Sequence, residues 1–548
     1  MSRESVLVER ECRKSGLGHH ERNHFGVRAG IVEPDDGVRT DPDQATRTSL
    51  EHRGAERSAG ATANVLAGES DGDANSGVVI GVRTVEVHHL AHPIGIRYAY
   101  LGTLHCAWCV EFAQLNPIGA ALATPAPGTR ARLDRHARMI IPVAFFLAVS
   151  DTTVLQRRPP AEVGMDGDRL VLIDRAVKQG LAAGGFPGAA VVVGRNGAIV
   201  WEKGYGSSDW GFGMPVVDAR STMYDIASIT KAVATSAAAM VLYDRGKLKL
   251  DVPVARYLPE FRRGDKARVT VRDLLTHRSG LPAGRNLSSA QTARDARRIV
   301  LGTPLVAPPG SRTEYSDVGA DVLGFVVEAV AGERLDRFVN RTIYSRLGLR
   351  NTVFLPARAR RSKIAPTENH PPRGYPLRGE VHDEAAFALG GVAGHAGLFA
   401  TASDLAVFAQ MMLNGGKYRG VRIVSDTTVA RFTERAAGSR ALGWDTCIGG
   451  GSCGHHLGPR AYGHTGYTGT SLWIDPDRQA FVIVLSNWVH AAPSARVAPI
   501  AVLADVRSDI ADIVALSITD SSAGILPMPD RLRSDRQIGW RRENYGSR

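Results

Sequence analysis

The chain has 548 residues, 44% of them hydrophobic and 22% charged, a globular composition that argues against a fibrous or disordered protein. Its formal charge of +12 comes from scattered basic residues, with no run of five or six and no aromatic-interleaved stripe, so the charge balance does not point to nucleic acid. Five cysteines are an odd and sparse set, which excludes a disulfide framework as the main support of the fold.

Residues 1–138 carry His and Arg clusters, a Gly/Ser/Asp stretch at 68–77 and hardly any sustained period of 3.6 or 2. They read as a poorly structured or mis-called N-terminal extension. His105-Cys106-Ala107-Trp108-Cys109 has C-x-x-C spacing, but the second cysteine or histidine pair that a zinc site needs is missing, so two incidental thiols are expected. Basic residues at Arg135, His136 and Arg138 precede Met139 and a short apolar run over 140–150, too short for a stable membrane span. Residues 139–150 therefore read as a candidate signal-peptide core, with Met139 as initiator and Ala148 and Ser150 as the small cleavage-site residues; a buried strand is the other reading. The first reading implies a periplasmic or secreted protein.

A regular domain is expected over residues 165–516, followed by a basic tail at 517–548. It opens with a helix reaching Leu181 and a hairpin whose strands, 188–194 and 199–201, flank the turn at Asn196-Gly197. An Ala-rich helix follows Ser228, with Val233, Ala237, Met240 and Val241 on one face and Gly246 at its end. Another follows Tyr315, with Val318, Val322, Phe325, Val326 and Ala329 at helical spacing. A second hairpin turns at Asp475-Pro476-Asp477-Arg478, and residues 492–516 read as a closing helix. Hairpins at both ends with helices between them predict an α+β fold, an antiparallel sheet flanked by helices.

Three clusters carry chemistry. In Ser228-Ile229-Thr230-Lys231 the i, i+3 spacing puts a hydroxyl beside an ammonium at the start of a helix, where the serine can be activated. Tyr315-Ser316-Asp317 lies between the turn Pro308-Pro309-Gly310 and the second helix, and a phenol near an ammonium can take and return a proton. Tyr462-Gly463-His464-Thr465-Gly466-Tyr467-Thr468-Gly469 enters a strand whose glycines let a substrate approach its edge. There the amides of Tyr467 and Ser228 could point at one carbonyl oxygen.

Together the clusters resemble the serine β-lactamase and penicillin-binding-protein superfamily, with its S-x-x-K, Y-x-N and K-T-G triplet. The tyrosine version looks like class C β-lactamases, D-alanyl-D-alanine carboxypeptidases and related esterases. Phe186-Pro187-Gly188-Ala189, the segment from Asp273 to Leu281, Leu347-Gly348-Leu349-Arg350-Asn351-Thr352 and the segment from Gly390 to Phe399 add to the likeness, which covers roughly residues 170–515. The resemblance implies a β-lactamase/transpeptidase-like fold with an inserted, mainly helical subdomain and an acyl-enzyme mechanism without metal or cofactor. By position, Ser228 is the nucleophile, Lys231 and Tyr315 handle the proton, and Asp317, His464, Thr465, Gly466 and Tyr467 line the substrate.

Two departures matter. Asp317 stands where the family has asparagine, so an amide donor becomes an acceptor unless the carboxyl is protonated or pairs with Lys231. His464 stands where the family has lysine, which weakens the fixed positive charge for a substrate carboxylate. Both favour an ester, amide or peptide over a β-lactam, with a small-molecule or peptidoglycan-derived peptide as partner. They also keep open a catalytically weak, penicillin- or peptide-binding module of the same fold. His277, His382, Asp383 and His395 read as structural hydrogen-bonding groups, and Cys447 and Cys453 as either one small bridge or two free thiols.

Overall fold

The computed structural model describes residues 155–368, 373–375, 377–490, 499–521 and 524–533, together with the short strands His89–Ala91 and Arg97–Ala99. The chain divides into two units, Met1–Ile140 and Ile141–Arg548. In the first, the two short strands pair antiparallel, His89 opposite Ala99. The Cys106–Cys109 pair and the apolar run at 139–150 lie outside the described residues, as does most of the expected extension.

The strands of the second unit that bear on the site are β1 (Gln156–Arg157), β2 (Gly188–Arg195), β3 (Ala198–Gly206), β4 (Tyr224–Asp225), β5 (Val353–Phe354), β6 (Leu398–Ala400), β7 (Asp445–Thr446), β8 (Tyr462–Gly466), β9 (Thr470–Asp475) and β10 (Ala480–Ser486). Seven form one sheet in the order β7-β8-β9-β10-β2-β3-β1, antiparallel except where β1 joins β3 in parallel at one edge. A smaller antiparallel sheet runs β4-β6-β5. Within the described residues of this unit, the first and last hairpins therefore meet in mid-sheet, where β2 pairs with β10.

The pattern of β2 explains why. All eight of its residues are buried, and because successive side chains point to opposite faces, a strand covered on both faces needs a continuous apolar run. Ala189, Val191 and Val193 enter one core with Val482 and Val484 of β10, while Ala190 and Val192 enter the other with Ile483 and Leu485. The first face is closed by α1 (Leu172–Ala182) and α5 (Pro499–Leu516), which supply Ile173, Val177, Val506 and Ile510. Ile518, Met528 and Leu532 belong to the same cluster.

The opposite face packs on α2, which runs as a π-helical stretch over Lys231–Ser236 and an α-helix over Ala237–Asp244, and on α4 (Ala402–Leu413); α3 (Asp317–Ala331) shares their core. The single apolar face expected for α2 is a correction: residues 231–242 are buried on every side. Its alanines fit because a helix enclosed all round needs small side chains to let its neighbours approach.

Candidate active site

Ser228 lies at the mouth of this core, in a tight turn before α2. Ile229, Thr230 and Lys231 donate in succession to the carbonyls of Ile226, Ala227 and Ser228, at 3.1, 2.9 and 3.0 Å. Three-residue hydrogen bonding eclipses side chains at i and i+3, so Lys231 Nζ comes to 2.9 Å from Ser228 Oγ. The serine sits immediately before the first helical residue, Ile229, so that Ser228-Ile229-Thr230-Lys231 opens the helix. Its position is fixed by Asp225, whose buried carboxylate accepts from the Ala227 amide at 2.9 Å and the His382 amide at 2.7 Å.

Lys231 is itself buried and faces two groups from the next cluster. Its Nζ lies 2.7 Å from Asp317 Oδ1 and 4.7 Å from the centre of the Tyr315 ring. Burial alone would favour the neutral amine, but Tyr315 and Asp317 outweigh it and hold the lysine above its ordinary pKa. The conditional alternative for Asp317, pairing with Lys231, is the one realised.

The Tyr315–Asp317 segment is held by the loop after Leu275. Glu314 donates to the His277 carbonyl at 2.8 Å, Ser316 N–H to His277 Nδ1 at 3.1 Å and Asp317 N–H to the Ala283 carbonyl at 2.7 Å, while the Ser316 hydroxyl caps α3 by accepting from Gly319 at 2.9 Å. Since Nδ1 of His277 accepts, that ring is neutral. Burial first, then Arg440 and Lys231, push it well below the usual histidine range.

β8 forms the third wall. Gly466 lies so near the chain before Ser228 that an added Cβ would sit 2.3 Å from the Ile226 carbonyl oxygen. Thr468 and Thr470 donate to the carbonyls of Asp225 and Ile226 at 2.6 and 3.1 Å, and buried Arg507 of α5 donates to the Gly466 and Thr470 carbonyls from behind. The imidazole of His464, 6.1 Å from the Tyr315 ring, is buried and pushed down to about 3 by desolvation and then by Lys231, so it is neutral. With Thr465 O at 2.7 Å from Nδ1, that nitrogen carries the proton. Among the described residues, no turn or loop hydrogen bond uses the amide of Ser228 or Tyr467. The Tyr467 side chain is exposed and touches the rings of His382 and Trp488.

Ser228, Lys231, Tyr315, Asp317 and His464 thus converge, and Thr465, Gly466 and Tyr467 flank them. Sequence reasoning missed Arg440, whose guanidinium stands 5.2 Å from the Tyr315 ring centre and pairs with Asp445 of β7; nothing in its local sequence marks it. It also missed Asp321, one turn beyond Asp317 on α3 and ion-paired to His395 at 2.7 Å. A lone acid on an otherwise apolar helix face was the available signal, because a buried carboxylate needs a partner. Asp317, Asp383 and His395 could bring one ligand atom each within 4.8 Å of one another, yet both ring nitrogens of His395 already face carboxylates.

A family model described as Beta-lactamase matches residues 173–507, more than half of the chain. A protein of Salmonella agona (strain SL483) named "Putative D-alanyl-D-alanine carboxypeptidase" is 35% identical over 376 residues, which span 62% of this chain and 87% of that protein. Two solved structures share the fold. EstCE1, a hydrolase with promiscuous acyltransferase activity, has a TM-score of 0.51 at 24% identity over 64% of this chain and 99% of its own. A penicillin-binding protein homologue from Caulobacter crescentus has a TM-score of 0.50 at 23% identity over 58% of this chain and 92% of its own. Joined to the α+β architecture around the S-x-x-K turn, these matches make the chain a member of the beta-lactamase family and a serine hydrolase.

Proposed function

We propose that the protein is a carboxypeptidase-type serine hydrolase that removes a terminal amino acid from peptidoglycan-derived peptides ending in D-alanine. The observation that carries this reading is the 2.9 Å contact of Ser228 Oγ with Lys231 Nζ, on an ammonium that also faces Tyr315 and Asp317. Ser228 Oγ bonds to the scissile carbonyl carbon, and the amides of Ser228 and Tyr467 receive the oxyanion. The step starts from the Tyr315 phenolate: Lys231, held as an ammonium, balances that charge while the phenolate oxygen takes the serine proton. That proton passes to the departing amine as the C–N bond breaks and leaves an ester on Ser228. Water then attacks the ester, giving its proton through Tyr315 back to Oγ.

A terminal carboxylate needs a cation, and neutral His464 does not supply one. Arg440, half-buried beside Tyr315 and paired with Asp445, is the cation that supports recognition of a carboxylate there. The name of the Salmonella relative supports the same substrate class. Cys447 and Cys453 form a disulfide, which supports work in an oxidising, extracytoplasmic compartment.

Release of D-alanine from a D-alanyl-D-alanine-terminated peptide, run beside labelling by a fluorescent penicillin, tests the proposal. The wild type is expected to do both, Ser228→Ala neither, and Tyr315→Phe to turn over about 10²-fold more slowly. Labelling without D-alanine release would move the substrate toward esters or other amides. If neither wild type nor variant is labelled or turns over, the binding-module reading, which the acceptor Asp317 favours, takes its place.

A further inference from the structure

Behind Lys231 lies a second charged cluster that the reaction described above does not use. His395 is buried, with Nδ1 2.7 Å from Asp321 Oδ1 and Nε2 2.8 Å from Asp383 Oδ1. With both carboxylates ionised, two such contacts require both ring protons and make the ring an imidazolium, a state that burial of Asp321 opposes and its pairing with His395 favours. Desolvation opposes that charge, but Asp321 and Asp383 outweigh it and hold His395 well above the usual range.

The same residues tie together the two helices that carry the site. Asp321 also accepts from the Gly394 amide at 3.0 Å, and Gly394 lies so close to α3 that an added Cβ would meet the Ala320 carbonyl oxygen at 2.0 Å. On the other side, the Gly394 carbonyl accepts from Thr235 of α2 at 2.6 Å, and the His395 carbonyl accepts from Lys231 Nζ at 3.4 Å. We infer that the ion triplet Asp321–His395–Asp383 is a positioning device for Lys231: it clamps the Gly394–His395 backbone between α2 and α3 and sets the net charge that the lysine ammonium faces.

The inference rests on the reading of Ser228 and Lys231 as the reacting pair. The charge census is short. α3 contributes Asp317 and Asp321, the residue before the helix Glu384–Ala388 contributes Asp383, α2 contributes Lys231, and the loop between contributes His395. Arg285 lines the cavity of about 160 Å³ that Asp317, Asp321, Asp383 and His395 share. Tyr315, Arg440 and the neutral His277 and His464 stand on the substrate side, and Asp225 with His382 lies beyond Asp383. Three carboxylates thus face two cations at the core of the cluster, and loss of the His395 charge would leave Lys231 against two uncompensated acids.

The test is the pH profile of kcat/KM for the full chain. His395→Gln is expected to move the basic limb up by about one pH unit, because the ammonium that the reaction uses is then held more tightly. Asp383→Asn, which keeps an N-cap for Glu384–Ala388, is expected to move it down, and the double variant to return near the wild-type position. A purely structural clamp would lower the rate and leave the limb in place, and that result, or shifts of the same sign in both single variants, overturns the inference. If His395→Gln does not fold, the downward shift of Asp383→Asn decides alone. If the wild type shows no turnover, the reading of Ser228 fails first. The Lys231 titration, followed by NMR of the ¹³C-labelled ε-carbon and assigned with Lys231→Arg, then tests the inference by the same signs.

Discussion

Asp317 places a carboxylate oxygen 2.7 Å from Lys231 Nζ, where the related triplet has the amide of asparagine. The pair helps hold the lysine as an ammonium and leaves no amide donor for a substrate carbonyl. Asp317→Asn removes the negative charge, so the basic limb of the pH–rate profile, where the Lys231 ammonium loses its proton, is expected to fall by roughly one pH unit, the lower end for loss of an adjacent opposite charge. The restored donor should also raise the second-order rate of acylation by a fluorescent penicillin. An unmoved limb together with unchanged acylation would show that the ion pair governs neither.

His464 sets an acid limit on stability. Its native-state pKa lies at about 3 because burial disfavours the charged ring, whereas an unfolded histidine takes up its proton near 6.5. Below pH ~6.5 the unfolded state therefore binds the extra proton, so the stability conferred by the neutral ring is present above that pH and is lost as pH falls toward 3. The melting temperature of the wild type should drop more steeply between pH 7 and 4 than that of His464→Asn. Parallel curves in differential scanning fluorimetry would contradict this.

Gly466 is a contact residue for the nucleophile's own segment. An added Cβ would meet both the Ile226 carbonyl oxygen and Thr470 Oγ1 inside 2.5 Å, and neither can move without disturbing the hydrogen bond between them. Gly466→Ala is expected to cost about 1–3 kcal/mol, the range for overpacking, and to slow acylation further by shifting β8 away from Ser228. A variant as stable and as active as the wild type would mean that the strand has slack at this point.

The Cys447–Cys453 bridge closes a loop with a sequence separation of only 6 beside the β7–β8 edge. A loop this short restricts the unfolded chain modestly, about 2 kcal/mol on the chain-entropy model. Reduction should lower the melting temperature by a few degrees and leave acylation of Ser228 intact. Loss of labelling on reduction would tie the bridge to the site itself.

The parts of the site that were legible in the sequence are those whose geometry is local. The Ser228–Lys231 contact follows from i, i+3 spacing, Asp317 follows Tyr315 by two positions, and the hairpins follow from alternation around turn residues. α3 was likewise readable, since Val318, Val322, Phe325 and Val326 keep helical period and are buried. Arg440 and the His395 cluster were not, because their partners come from distant segments: Arg440 reaches Tyr315 from a loop without periodic pattern, and His395 meets Asp321 across 74 positions. The parallel edge pairing of β1 with β3 had no signal either, since Gln156 and Arg157 are exposed and lack an apolar pattern.

The residue just before the nucleophile, Ala227, holds a left-handed backbone with φ of 44°. Such a conformation costs an L-residue with a Cβ about 1 kcal/mol or more, and glycine would adopt it freely. Alanine there narrows the range of directions in which the following hydroxyl can point, at the expense of some global stability. Replacing it by glycine should make the fold more forgiving and the serine less well aimed, so thermal endurance and catalytic speed would move in opposite directions at this one position.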